Sequence, residues 1–155
     1  MLARFCQAQR GATMLEILIT LLILSIGLLG MAGLQALSLK SNQSAYYRSQ
    51  ATFLAYDITE RMRANRTVAI AGGYDVDPAN SWSTYSTEST DLAARDIAQW
   101  LKSLDETLPS GTGKNTLNGT LVTIEVSWDD SRGDIQASDS NQAATLETFV
   151  YRTEI

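Results

Sequence analysis

The chain has 155 residues, with 12 basic and 17 acidic side chains and a formal net charge of −5. This acidic balance argues against general binding of nucleic acid or anionic lipid. The absence of histidine excludes Ser-His-Asp and Cys-His nucleophile systems and histidine metal sites. Carboxylate-only chemistry stays open, but no paired acid motif indicates it. We therefore expect a protein that is not an enzyme and has no cofactor and no metal.

The first predicted element is a long apolar helix behind a short basic leader. Arg4 and Arg10 precede it, and residues 17–39 carry no charge. At about 1.5 Å per residue this uncharged run reaches about 34 Å, enough to cross a hydrocarbon core of about 30 Å. The positive-inside rule places the leader in the cytoplasm and the C-terminal part outside. We predict a membrane-spanning helix over residues 12–40.

Glu16 is the only charge in this apolar run. A carboxylate near the start of a membrane helix costs about 2.5–3.5 kcal/mol, so it should have a partner. If the chain is cut after Gly11, the new amino group of Ala12 supplies the positive charge. The same cut would remove Cys6, the only cysteine, so the mature chain would have no disulfide.

The helix is predicted to continue past the membrane as an amphipathic segment and to stop before Gly72-Gly73. Asp57 and Arg61 are spaced as an i,i+4 pair on its solvated side. Its apolar face follows a helical period through Tyr47, Ala51, Leu54, Ala55, Ile58 and Met62. Glycines at 27, 30 and 33 make the span locally soft and allow close helix approach, or are ordinary transmembrane composition.

After an irregular connection over residues 72–90, which has room for a short strand, a second helix is predicted over 91–108. Asp91 is placed to cap it, and Pro109 with Gly111 stops it. Its apolar face consists of Ala93, Ile97, Trp100, Leu101, Leu104 and Leu108. We expect this face to pack in the core rather than to bind a ligand.

The hydrophobic period then changes from 3.6 to 2. Residues 121–128 alternate as a half-buried strand, and Asn118-Gly119 predicts a type I′ hairpin turn with residues 114–117 as the partner strand. A third strand is predicted over 145–152, with Phe149 and Tyr151 on one face. The expected fold is α+β, with a small antiparallel β-sheet packed on the long helix.

The polar segment over residues 129–143 admits two specific interpretations. Its acids do not follow the spacing of a calcium loop, although a calcium site stays possible. It also contains the adhesion tripeptide Arg132-Gly133-Asp134. A solvated loop is the default expectation.

The N-terminal pattern resembles the prepilin signal of the type IV pilin and pseudopilin class. Arg10-Gly11, Glu16 and an apolar stretch that begins at the cut carry this resemblance. It implies that a prepilin peptidase cleaves between Gly11 and Ala12 and N-methylates Ala12, although most members have Phe at that position. It also implies a pilin-like fold, with a leader over 1–11 and a periplasmic domain over 41–155.

Residues 25–35, 48–51, 55–58 and 60–65 resemble the PilV family of minor pilins. This resemblance implies an inner-membrane subunit that helps to start type IV pilus assembly near the filament tip. Its partners would be the prepilin peptidase, other minor pilins, major pilin subunits and the inner-membrane pilus assembly machinery, with a large tip adhesin as a further one. Three alternatives stay open: a minor pseudopilin of a type II secretion system, a DNA-uptake pilin and a membrane-anchored binding protein.

Overall fold

The computed structural model describes residues 13–77, 84–131 and 146–155. The helices are α1 (Met14–Ala64), α2 (Arg66–Ile70) and α3 (Leu92–Thr107). The strands are β1 (Thr112–Asn118), β2 (Leu121–Asp129) and β3 (Leu146–Glu154). Contacts divide the chain into two units after Ser38, although α1 is continuous across that point.

The N-terminal part of α1 is apolar and exposed along its whole length. Its hydroxyl groups bond within the helix: Thr20 donates to the carbonyl of Ile17 at 2.8 Å, and Ser25 donates to that of Leu21 at 2.6 Å. This removes the cost of unpaired hydroxyls in an apolar surrounding. The helix is long and apolar enough to cross a membrane by length and composition.

The second unit, Leu39–Ile155, begins with the rest of α1, whose predicted apolar face is confirmed. Buried positions on it are Tyr47, Ala51, Ala55, Ile58 and Met62, with Leu54 partly buried. Thr59 is also fully buried, because its hydroxyl donates to the Ala55 carbonyl at 2.7 Å. The predicted helix length is correct to within a few residues, and the chain turns at Gly72, where φ is +82°.

Helix α3 forms as predicted. The carboxylate of Asp91 accepts a hydrogen bond from the backbone N–H of Ala93 at 3.1 Å and so caps the helix. All six apolar positions predicted for its face are buried. The indole Nε1 of Trp100 donates to the backbone carbonyl of Leu54 at 2.9 Å, which joins α3 to α1.

The three strands form one antiparallel sheet in the order β1-β2-β3. On β2 the residues Val122, Ile124, Val126 and Trp128 are buried in one core cluster with α1 and α3. The predicted hairpin forms, but its turn lies one residue later than the predicted Asn118-Gly119, at Gly119 and Thr120, because Asn118 pairs with Leu121; the predicted turn type is also wrong. Of the two loop residues only Gly119 has a positive φ, +67°, whereas type I′ needs both; glycine at the first loop position fits type II′.

The connection before α3 contributes more to the core than predicted. Tyr74 and Val76 are buried, and Val76 forms an isolated bridge with Asn115 of β1. This bridge takes the place of the short strand that the sequence allowed.

The segment that follows β2 is described as far as Ser131. Asp130 is buried, and its Oδ2 accepts a hydrogen bond from the Ser44 hydroxyl at 2.6 Å. No cluster of three metal-ligating side chains occurs in the described parts of the chain. The Arg132-Gly133-Asp134 tripeptide and most of the calcium-loop candidate lie outside the described residues.

Candidate functional site

The predicted assembly residue Glu16 lies in the first turn of α1. Its backbone N–H donates to the Thr13 hydroxyl at 3.3 Å, so Thr13 satisfies one of the free donors at the helix start. The carboxylate is exposed and lies where the helix dipole favours a negative charge. No described residue forms an ion pair with it, so an incoming amino group would find it accessible. Gly11 and Ala12, predicted for cleavage and methylation, lie outside the described residues.

An apolar surface surrounds and follows Glu16. The large side chains between residues 14 and 39 are 42–82% exposed, and a Cβ added at Gly27, Gly30 or Gly33 would meet nothing within 4 Å. An apolar helix surface of this extent belongs in a membrane or against other helices.

Two family comparisons match consecutive parts of the chain. Residues 6–32 match the prokaryotic N-terminal methylation motif, and residues 33–100 match the Tt1218-like family, described as type IV pilin Tt1218. Together the two matches cover residues 6–100 and support a type IV pilin. No curated protein and no solved structure matches this pilin. Pilins are structural subunits, and the methylation motif together with the apolar helix implies membrane anchoring and partners in pilus assembly.

Within the globular part of the pilin, a polar network centres on Asp96 of α3. One carboxylate oxygen accepts from Nη1 of Arg61 at 3.2 Å, and the other accepts from the Tyr74 hydroxyl at 2.7 Å. Arg61 also contacts Asp57 at 2.9 Å, as predicted, and the Gln99 side chain at 2.9 Å. Arg61 is therefore not simply solvated: it is half-buried and joins α1 to α3.

This network perturbs Tyr74. Burial, and next the hydrogen bond to Asp96, raise the pKa of Tyr74 from 10.0 to about 12. Asp96 was not predicted from the sequence, because a carboxylate between apolar positions is normally assigned to solvent. The available signal was its place three residues after Ala93 on the buried face, which requires a cation partner.

The segment over residues 60–65 supplies several of the contacts that hold the domain together. Met62 lies in the core, and Nη2 of Arg63 donates to the Thr153 hydroxyl of β3 at 3.0 Å. Asn65 donates to the Tyr74 hydroxyl at 3.4 Å. These contacts fix β3 and the turn after α2 against α1, so this segment organises the fold.

A second region that sequence analysis missed lies at the start of the domain, between α1 and β3. Arg48 forms an ion pair with Glu147 at 3.2 Å beside a cleft of about 260 Å³. The cleft is lined by Arg48, Thr52, Trp128, Glu147, Thr148 and Phe149. The side chains that line the cleft come from α1, β2 and β3, which are far apart in the sequence, so no local sequence motif predicts it.

Proposed function

We propose that this pilin is a minor subunit that helps to initiate type IV pilus assembly at or near the filament tip. The resemblance of residues 10–66 to the PilV family, the type IV pilus modification proteins, carries this proposal. The methylation motif and the match to a type IV pilin family support the class to which that role belongs.

In this proposal the chain has a leader over 1–11, a membrane and assembly helix over 12–40 and a periplasmic domain over 41–155. The prepilin peptidase cleaves between Gly11 and Ala12 on the cytoplasmic side and N-methylates Ala12. Glycine at the cut allows the enzyme to approach the backbone closely. The mature subunit waits in the inner membrane with its domain outside and then enters the pilus.

Extraction from the membrane requires that the apolar surface be covered again at once. That surface represents on the order of tens of kcal/mol at about 25 cal/mol per Å². Packing against the equivalent helices of other minor and major pilins covers it. The exposed Glu16 carboxylate attracts the N-terminal amine of a neighbouring subunit, and neutralisation of the two charges in a low dielectric sets the axial register.

A minor pseudopilin of a type II secretion system is the second candidate. The methylation motif and the long apolar helix favour it equally, because both belong to the signal that the two systems share. The partners separate the two roles. A pilus subunit is assembled by the inner-membrane pilus machinery and supports a tip adhesin, whereas a pseudopilin is assembled with secretion components.

The decisive experiment is mass spectrometry of the mature N-terminal peptide, from the membrane fraction and from sheared surface filaments. We expect an N-methylated Ala12 start in both fractions, with few copies per filament. A Gly11→Val variant is the matched control and should keep its Met1 start. An uncut wild-type chain in cells with active prepilin peptidase would refute the processing. Loss of the chain from filaments on deletion of secretion genes, but not of pilus genes, would favour the pseudopilin.

A further inference from the structure

The two edge strands of the sheet differ in their contacts. The outer edge of β1 is paired with residues 75–76 of the connection before α3. Val76 and Asn115 exchange backbone hydrogen bonds of 3.0 and 3.2 Å across it. Two residues further along β1, the backbone N–H of Leu117 donates a hydrogen bond to the carboxylate of Asp75 at 3.1 Å. The outward-pointing donors of β1 at these two positions are therefore satisfied within the domain.

The outer edge of β3 is not paired with any backbone segment among the described residues. The backbone N–H and C=O groups of Asn115 point away from β2, because they bond to Val76. The backbone groups of its partner Ile124 on β2 therefore point toward β3, where Ile124 lies opposite Tyr151. Along an antiparallel strand the backbone N–H and C=O groups point alternately toward one neighbouring strand and toward the other side. The backbone groups of Tyr151 point toward β2, so those of the residues on either side of it point to the outer edge of the sheet. Among the described residues no backbone group pairs with the outward-pointing N–H and C=O groups of Thr148, Val150 and Arg152.

This edge carries exposed apolar side chains beside the cleft. Leu146 is 67% exposed and Val150 is 47% exposed on the outer face of the sheet. On the inner face Phe149 lines the cleft of about 260 Å³ together with buried Trp128. A long, unprotected edge with apolar side chains is a template for a further strand, and natural domains normally block such an edge.

The direction of β3 limits what can pair with it. Three contacts join it to α1 in the same order along both segments: Arg48 to Glu147, Tyr56 to Tyr151, and Arg63 to Thr153. From the first contact to the last, α1 advances about 22 Å and β3 about 20 Å. The strand therefore runs alongside this part of the helix, in the same direction.

A second copy of the chain does not suit this edge. Two-fold pairing of β3 with itself is antiparallel, so it would also reverse the adjoining part of α1 in one copy. Subunits that share one direction along a filament, as the proposed assembly role requires, cannot adopt that arrangement. The charges at the edge are balanced, since Arg48 pairs with Glu147 and Arg152 is matched by Glu154 along the strand. The surface favours an uncharged segment.

We propose that the outer edge of β3 accepts an extended, uncharged segment of a different protein as a fourth strand. Main-chain hydrogen bonds to Thr148, Val150 and Arg152 hold the segment, and one large apolar side chain of it enters the cleft beside Phe149. The inference rests on the proposed assembly role, because it assigns a docking surface to the same subunit. It adds a contact made by the domain to those made by the apolar helix.

The test uses the full-length protein in cells that assemble filaments. A photo-crosslinking amino acid is placed at Thr148 or Arg152, whose side chains would lie about 5 Å from those of an added strand. Thr116, on the same face of the sheet but on β1, is the control position. After illumination, the crosslinked peptides from membranes and filaments are identified by mass spectrometry. We expect peptides of one different chain at both β3 positions and none at Thr116.

Two variants test the two parts of the surface. Val150→Pro removes an outward N–H without touching the ladder to β2, and should lower the crosslinking yield about tenfold, the effect of about 1.4 kcal/mol. Val150→Thr keeps the N–H and should leave the yield unchanged. Thr52→Trp fills the cleft and should also lower the yield, whereas Thr52→Ala should not. Protease resistance of each variant in membranes verifies that the domain is folded. If Val150→Pro does not fold, the crosslinking yield of Thr52→Trp tests the proposal instead.

Three results would overturn the proposal: crosslinks from β3 to residues 132–145 of the same chain, crosslinks to a second copy, or no crosslink in cells where the chain is cut at Gly11. The N-terminal peptide from the same samples separates this inference from the assembly role. A crosslink to a different protein on a chain that keeps Met1 would refute the role and retain the docking edge. An uncut chain without such a crosslink would refute both.

Discussion

Gly113 of β1 lies where α3 presses against the sheet, and Gly113→Ala tests how tightly that contact is packed. A Cβ at Gly113 would lie 2.6 Å from Cδ1 of Leu104 and 2.7 Å from Cζ3 of Trp100, with Cη2 of the same indole also in contact. Carbon atoms in favourable contact are about 3.5–4.0 Å apart, so the buried indole must retreat by about 1 Å.

Overpacking of this kind costs about 1–3 kcal/mol, and two blocking side chains place Gly113→Ala near the top of that range. Reduced freedom of the unfolded chain offsets about 0.4–1 kcal/mol. We expect a net loss of about 2 kcal/mol in the free energy of unfolding. For a domain of this size the loss corresponds to a fall in Tm of about 8 °C.

The assay is thermal unfolding of the full-length protein in detergent, followed by near-ultraviolet circular dichroism of the buried indoles. Trp100→Phe removes the ring atoms that block the new methyl group, so the double variant should be more stable than the sum of the single effects by about 1 kcal/mol. Gly119→Ala is the control: its Cβ meets nothing within 4 Å but its φ is +67°, so its cost should not respond to Trp100→Phe. Additivity of Gly113→Ala and Trp100→Phe would refute the packing argument.

Three further predictions concern assembly, domain organisation and pH. Glu16→Ala should be cut, methylated and inserted normally but enter filaments poorly, as measured by the ratio of mature chain in sheared pili to that in membranes; wild-type incorporation would contradict the register role. Residues 41–155 without the span should be soluble, monomeric, cooperatively folded and insensitive to reductant, and a circular dichroism spectrum without sheet would contradict this. Because the folded-state pKa of Tyr74 is raised from 10.0 to about 12, its contribution is fully present below pH 10 and is lost as the pH rises toward 12. Tyr74→Phe should remove this alkaline loss of stability, which is about 2.7 kcal/mol at most and is followed as the fall in Tm with rising pH; an unchanged profile would show that Tyr74 does not cause it.

Periodicity was sufficient for the elements whose burial repeats along the chain. The apolar face from Tyr47 to Met62, the buried face of α3 and the alternation from Val122 to Trp128 all follow from spacing, because each residue is classified by its own polarity. The antiparallel sheet and the long helix therefore follow from the sequence. Glu16, the residue proposed for assembly, was identified from the sequence as a single charge in an apolar run.

Buried polar residues were missed for a common reason. Asp96 and Asn115 are buried although their types belong on the surface. Asp96 is buried because Arg61, far away in the sequence, supplies a cation. The amide of Asn115 has no hydrogen-bond partner in the described residues, and its position is set by the backbone bridge to Val76. Such positions depend on tertiary contacts, as do the cleft beside Phe149 and the open edge of β3.

The parallel course of β3 and α1 has a mechanical consequence. All nine residues of β3 pair with β2, and these hydrogen bonds are perpendicular to the strand. A tensile load applied along the helix therefore acts along the strand, so the bonds resist sliding together instead of opening one after another. A cargo held on this side of the domain would therefore load the whole β2–β3 ladder in shear.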